Sequence, residues 1–121
     1  MQLSEVVRRS IVVPKSEAAL RLIETDQFSD MWIDEYFILH IDEEFSSIYA
    51  SGIFKEINII CDSHIEDYAE EVIEFQKQKL LLELLSKKCT KFSQLSTIFC
   101  GQLTDLCIQA SARHMPIYFV L

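Results

Sequence analysis

The sequence predicts a single α/β domain over residues 1–121, with a mixed α+β arrangement as the alternative. A sheet of three to four strands is expected to pack against two to three helices. Half of the 121 residues are apolar, which is enough for one substantial core. Only two glycines and two prolines are present, so a few long elements are favoured over many tight turns. The apolar run at residues 117–121 follows two long helical segments and indicates a buried C-terminal strand.

The first third of the chain is predicted to form two strands separated by a helix. Residues 10–13 are a β-branched run that ends at a proline, which is typical of a strand. Ser16 is suited to cap a helix that extends to about residue 27. Residues 28–34 are predicted to be a loop. The nearly continuous apolar run at residues 36–41 predicts a strand covered on both faces.

The middle of the chain is predicted to add two further strands. Residues 47–50 are interpreted as a short strand, and Gly52 as a turn after it. In residues 53–61 the odd-numbered positions are mostly apolar and the even-numbered positions are more polar at the start. This alternation predicts a strand that begins exposed and becomes buried.

The last half of the chain is predicted to contain two long helices. Ser63 and Glu66 have the spacing of a capping box, so the first helix is expected to begin at His64. Five of its carboxylates would then share one arc of about 140°, and they are Glu66, Asp67, Glu70, Glu71 and Glu74. The second helix is expected from about residue 91 to residue 113. Its apolar stripe consists of Phe92, Leu95, Phe99, Leu103, Leu106 and Ala110.

Leucines surround the predicted axis in residues 80–85. A helix that is apolar all round must be covered, either by other elements of the chain or by a second subunit. A homodimer through residues 80–85 is therefore one prediction of the sequence.

The strongest electrostatic feature is an acidic block over residues 24–74. It contains fifteen carboxylates and one base, Lys55, which is a net charge of −14, whereas the other 70 residues carry +6. Charge segregated in this way selects partners and accelerates their association. Because binding of phosphates needs clustered Lys and Arg, nucleic acids and anionic membranes are not expected partners. With no predicted signal peptide or transmembrane span, a cytoplasmic location is expected.

No motif for catalysis, for a cofactor or for a metal is recognised. Glycine-rich phosphate loops and the common hydrolase signatures are absent, so the chain is not expected to be an enzyme or to carry a cofactor. Cys61 and His64 flank a predicted strand-to-helix junction, where a thiol can be activated, but a structural junction is the favoured interpretation. The same pair forms half of a zinc motif without a second half, and no calcium-loop spacing occurs, so no metal site is predicted.

These features favour a binding protein. The leading hypothesis is a small acidic protein that neutralises a basic protein, in the manner of an immunity protein or antitoxin that blocks a nuclease-type toxin. The alternative is an acidic secretion or assembly chaperone that uses apolar surface, and the acids could also be only a solvated face. The partner-binding residues predicted from the acidic block are Asp34, Glu35, Asp42, Glu43, Glu44, Asp62, Glu66, Asp67, Glu70, Glu71 and Glu74.

Overall fold

The structure is a computed structural model that describes residues 3–88 and 94–121. The elements in chain order are α1 (Leu3–Val6), β1 (Ser10–Pro14), α2 (Glu17–Glu24), a 3₁₀ helix (Asp30–Glu35), β2 (Tyr36–His40), α3 (Phe45–Ala50), α4 (Ile53–Cys61), β3 (Glu70–Ile73), α5 (Phe75–Lys88), α6 (Gln94–Arg113) and β4 (Ile117–Val120). The predicted class is confirmed: the fold is a mixed α/β arrangement with a four-stranded sheet, two long C-terminal helices and a C-terminal strand.

The four strands form one antiparallel sheet in the order β2-β1-β4-β3. β4 lies inside the sheet between β1 and β3, and all of its residues are buried, which confirms the predicted buried C-terminal strand. α5 and α6 lie between β3 and β4 in the sequence, and the two helices pack against each other. As an antiparallel pair they return the chain to the end of the sheet that it left, so that Ile117 pairs with Ile73.

Helices cover both faces of the sheet because successive side chains of each strand point to opposite sides. In β1, Ile11 and Val13 belong to the larger cluster of buried residues, which also includes residues of α3, α4, α5 and α6. Val12 belongs to the smaller cluster, together with Leu3 of α1 and Ala19 of α2. The sheet is therefore the middle layer of three.

Residues 53–61 are helical, and the strand predicted there is wrong. Buried side chains occur at Ile53, Phe54, Ile57 and Cys61, which is helical spacing, whereas Ile59 is 81% exposed. Residues 53–61 fit both the two-residue period of a strand and the 3.6-residue period of a helix, because isoleucine also occupies exposed positions of α4. Gly52 before the helix and Asp62 after it adopt left-handed backbone, which limits the helix at both ends. The short strand predicted at residues 47–50 is likewise helical and belongs to α3.

The helix predicted to begin at His64 begins instead at Phe75. Residues 63–69 form a loop held by Asn58, whose side-chain oxygen accepts hydrogen bonds from Ser63 Oγ (2.8 Å) and from the Ile65 amide (2.7 Å). The next residues form β3, because pairing with the apolar β4 completes the sheet. Tertiary pairing therefore overrides the local capping signal, which is a weak preference.

The remaining predicted elements agree in type with the structure. The strand β2, however, is not covered on both faces as predicted: it lies at the edge of the sheet, only Tyr36 is buried and His40 is exposed. Ser16 Oγ accepts a hydrogen bond from the Ala19 amide and caps α2 as expected. The predicted loop contains the 3₁₀ helix. In α6, the stripe of Phe99, Leu103, Leu106 and Ala110 is buried, while Phe92 lies outside the described residues. Among the helices of the described ranges, none combines the length and apolar character needed to cross a bilayer.

Candidate partner-binding surface

Three consecutive carboxylates project from the turn between β2 and α3. Asp42, Glu43 and Glu44 are exposed and line a concavity of about 360 Å³ together with His40 and Gln102. None of the three forms an ion pair with any residue of the described ranges. Their charges are therefore exposed to solvent and act on any molecule that approaches this turn.

Two further concavities share lining residues with this one or with each other, through Asp42 and Arg8. The second, of about 430 Å³, is lined by Arg8, Arg9 and Asp42, and the third, of about 350 Å³, by Arg8, residues 68–70 and Leu121. We call the surface formed by Arg8, Arg9, residues 40–44 and residues 67–70 the acidic end of the sheet. Its five carboxylates and two guanidinium groups leave a net charge of −3.

Arg9 lies inside the acidic end rather than apart from it. Its Nη2 is 3.0 Å from Asp67 Oδ1, and its guanidinium carbon is 3.6 Å from the centre of the Phe45 ring. The Arg9 backbone has a φ of 59°, a left-handed conformation that aims the side chain across the start of β1. Asp67 therefore balances one of the two cations within the chain, and the remaining excess of charge is acidic.

Tyr68 is the exposed aromatic residue of this surface. Its side chain is 77% exposed, and the guanidinium carbon of Arg8 lies 4.6 Å from the centre of its ring. Tyrosine in such a position is typical of residues that dominate the energy of protein interfaces. No local sequence pattern places Tyr68 beside Arg8, because the two are 60 positions apart and meet only through the β1-β4-β3 arrangement.

Glu70, within the acidic end, and Glu74, just after β3, lie on the side of the sheet covered by α2. Residues 70, 72 and 74 share one face of the sheet because they are two positions apart. Burial raises the pKa of Tyr118 to about 12, and the negative charges of Glu24, Glu74 and Glu70 add to this effect. Burial and the nearby charge of Asp26 raise the pKa of the Glu70 carboxyl. The fold thus brings acids of α2 close to acids of β3.

Glu71 has a structural role in this fold. Its carboxylate accepts hydrogen bonds from the His64 amide at 2.6 Å and from the Val72 amide at 2.9 Å. These two bonds fix the loop before β3 and occupy both carboxylate oxygens. Glu71 is therefore a poorer candidate for partner contact than the residues on either side of it.

The other predicted acids are scattered, and the predicted helical ridge does not exist. Asp34 and Glu35 are exposed at the opposite end of β2 from the turn at residues 42–44. Asp62 ends α4, and Glu66 is exposed in the loop that follows. The eleven predicted residues therefore occupy several surfaces, of which the acidic end contains the largest group.

The structure does not show an activated thiol at the junction of Cys61 and His64. Cys61 is buried, its thiol donates to the Lys77 carbonyl at 3.8 Å, and burial raises its pKa, which is the opposite of activation. His64, three residues later in the loop after α4, is exposed. Within residues 3–88 and 94–121, no group of three or more Cys, His, Asp or Glu side chains has the arrangement of a metal site.

The leucine segment is mostly core. Leu81, Leu84 and Leu85 are buried in the larger cluster, so the chain itself covers these sides of α5, while Leu80 is 41% exposed. The feature that suggested a homodimer through residues 80–85 is therefore largely explained by packing within one chain.

Comparison with protein-family models, with curated proteins and with solved structures finds no match to this chain. The function proposed below consequently derives from the geometry and charge of the acidic end.

Proposed function

We propose that this protein binds a basic protein partner through the acidic end of its sheet and neutralises it, in the manner of an immunity protein or antitoxin against a nuclease-type toxin. The observation that supports this proposal best is the turn at Asp42, Glu43 and Glu44. Three exposed carboxylates line one concavity there without an ion pair among the described residues.

The acids carry a cost if they have no partner. Like charges held close together repel, and sequences usually relieve this with interspersed lysines. Lys55 is the only base within residues 24–74. Of the two arginines that reach the acidic end from outside that block, Arg9 is paired with Asp67 and Arg8 lies over the Tyr68 ring. A cationic partner would offset the remaining repulsion, and the field of the surface would direct its approach.

A nuclease-type toxin is the partner class that this chemistry fits best. An enzyme that binds nucleic acid presents clustered lysines and arginines to the phosphates. Carboxylates grouped at one turn can form ion pairs with the same lysines and arginines and so exclude the nucleic acid. Tyr68 would supply apolar contact area within the interface, since its ring is exposed beside Arg8 on this surface.

The test is capture of the partner from the source cells with the tagged protein and with two triple variants. In the first, Asp42→Asn, Glu43→Gln and Glu44→Gln remove three charges from the acidic end. In the matched control, Glu5→Gln, Glu17→Gln and Glu83→Gln remove three charges from exposed positions elsewhere. We expect a protein of basic isoelectric point to co-purify with the wild type and the control, and to be lost from the first variant. Equal recovery by all three proteins, or recovery of acidic proteins only, would contradict the proposal.

A chaperone that uses apolar surface is the second candidate. It is supported by α4, where Ile59 is 81% exposed and the adjacent Ile60 is also exposed. Exposed apolar side chains on one helix are suited to contact with an unfolded or partly folded client. Binding by this mechanism would be lost on Ile59→Asp and would persist in high salt, and both results would favour the chaperone over the electrostatic proposal.

A further inference from the structure

β2 is an edge strand without the usual protection. It pairs only with β1 among the described strands, and its five residues, Tyr36–His40, include no Asp, Glu, Lys, Arg or Pro. Natural proteins normally protect a sheet edge with charged residues, prolines or a covering element, because an open edge pairs with other chains.

The direction of the backbone groups of β2 follows from two hydrogen bonds at its ends. The Ile41 amide donates to the Arg9 carbonyl at 2.9 Å, and the Lys15 amide donates to the Glu35 carbonyl at 3.0 Å. In an antiparallel ladder, alternate residues exchange both bonds with the partner strand. Residues 35, 37, 39 and 41 therefore bond to β1, and Ile38 and His40 direct their amides and carbonyls away from the sheet.

The opposite edge of the sheet is protected in a way that β2 is not. In β3 the outward amide of Val72 is occupied by the carboxylate of Glu71, at 2.9 Å. Glu70 and Glu74 add charge at both ends of that strand. Among the residues that the structure describes, side chains of the chain itself thus protect the β3 edge, while the β2 edge has no such protection.

An apolar groove of about 290 Å³ lies along the open edge. Its apolar lining is Phe37, Ile38 and Leu39 of β2 with Leu106 of α6, and Gln102 is shared with the concavity at the acidic end. An added strand would direct every second side chain to this face. Groove and open edge therefore suit the same ligand, an extended segment with apolar residues at alternate positions.

Charge identifies the occupant. At the His40 end of β2 lie the carboxylates of the 42–44 turn, which form no ion pair within the described ranges. At the Phe37 end, the cations of Lys15 and Arg113 lie 5.0 and 4.8 Å from the Phe37 ring centre. A second copy of this chain, paired antiparallel about Ile38, would place Asp34 of each copy opposite Asp42 of the other. Like charges opposite each other are destabilising. The end of a second copy that would face this turn carries the acids Asp34 and Glu35 beside the cations of Lys15 and Arg113, so it brings no net positive charge. A segment with several Lys or Arg residues therefore fits the edge better than a second copy does.

We infer that the partner docks by strand addition to β2, as an extended segment with alternating apolar residues in the groove and Lys or Arg beside Asp42, Glu43 and Glu44. This inference rests on the proposed function and adds to it the mode of binding. Backbone hydrogen bonds to Ile38 and His40 would supply affinity, and the carboxylates would fix the register.

The test uses fluorescent synthetic peptides of alternating valine and threonine that carry a run of lysines at one end, prepared in both orientations. Two matched versions isolate the two contributions. One carries N-methyl groups on the valines and threonines and cannot donate backbone hydrogen bonds, and the other has glutamine in place of lysine. We expect N-methylation to weaken binding by about tenfold or more, the loss that corresponds to a few hydrogen bonds. Amide hydrogen exchange at Ile38 and His40 should slow when the unmodified peptide is bound.

Two proline variants test the edge itself. Ile38→Pro removes an outward amide of β2. Val72→Pro is the matched control, because it removes an outward amide of β3 and because Val72, like Ile38, is half-buried against the smaller cluster. Ile38→Pro should abolish peptide binding, and Val72→Pro should leave it unchanged. If Ile38→Pro does not fold, as judged by circular dichroism, the N-methylated peptide answers the same question with the wild-type protein.

The outcomes separate the inference from the proposed function. Strand addition is overturned if no peptide binds, or if N-methylated and unmodified peptides bind equally. If in that second case the glutamine peptide binds more weakly, the electrostatic function still stands. If the glutamine and lysine peptides bind equally with protection of Ile38, strand addition stands and the requirement for a basic partner fails.

Discussion

Arg9 reaches across the end of the sheet to form an ion pair with Asp67, with Nη2 and Oδ1 3.0 Å apart. Asp67 belongs to the acidic block of residues 24–74, and Arg9 lies outside that block in sequence. The uniform acidity of the linear sequence is therefore interrupted in the fold. Among the described residues, the acids of the acidic end that form no ion pair are Glu70 and the three of the 42–44 turn.

We expect Asp67→Asn to lower the free energy of unfolding by up to about 1 kcal/mol, because the pair is only partly shielded from solvent. Urea denaturation of the variant and the wild type measures the difference. Glu66→Gln is the matched control, since Glu66 is exposed and adjacent, and it should leave stability unchanged. A loss that persists undiminished in high salt would show that the contact is not mainly electrostatic.

Gln78 is buried within α5 and connects several elements. Its Nε2 donates to the Met115 carbonyl at 2.6 Å, and its Oε1 accepts from Ser111 Oγ at 2.8 Å. Gln78→Ala leaves both partners without these hydrogen bonds, which costs about 1–3 kcal/mol for each buried group that stays unsatisfied. Chemical denaturation should show the loss, whereas Gln76→Ala, at an exposed position of the same helix, should be neutral.

Alkaline pH should destabilise the fold through two tyrosines. Burial is the main cause that raises the pKa of Tyr36 and of Tyr118 to about 12, above the ordinary value of about 10. The folded state therefore binds these protons more tightly than the unfolded state does. The contribution of this tighter binding to the free energy of unfolding is fully present below about pH 10 and is lost as the pH rises from about 10 to about 12.

Thermal unfolding measured across this pH range tests the prediction with a pair of variants. Tyr118→Phe removes one titrating group and should flatten the decline, while Tyr49→Phe, at an exposed position, should not. An unchanged decline in Tyr118→Phe would remove Tyr118 as a cause.

Ile57 and Ile59 distinguish the helix from the strand that the sequence predicted. In a strand the two would share one face, but in α4 Ile57 is buried and Ile59 is exposed. We expect Ile57→Ala to cost about 2–5 kcal/mol and Ile59→Ala very little. Equal losses for the two substitutions, measured by denaturation, would contradict the helical assignment.

The elements that the sequence predicted well are those with an unambiguous local pattern. The β-branched run that forms β1, the Ser16 cap of α2 and the apolar strand β4 each had one consistent interpretation. Residues 53–61 satisfied two periods at once, and residues 64–74 carried a capping signal that lost to pairing with β4. The acidic turn was identified as part of a large block, but Arg9 and Tyr68 join it through contacts distant in sequence, which no local pattern encodes.

Association kinetics with the captured partner test the electrostatic mechanism directly. Attraction between exposed charges is screened beyond roughly 8–10 Å at physiological salt. Raising the salt concentration should therefore slow association steeply and change dissociation less. At low salt, the Asp42→Asn, Glu43→Gln, Glu44→Gln variant should associate more slowly than the control that lacks the charges of Glu5, Glu17 and Glu83, although both carry the same net charge. The comparison isolates the position of the charges from their number. If the two variants associate at the same rate, the total charge of the protein sets the rate, and the acidic end has no special role in capturing the partner.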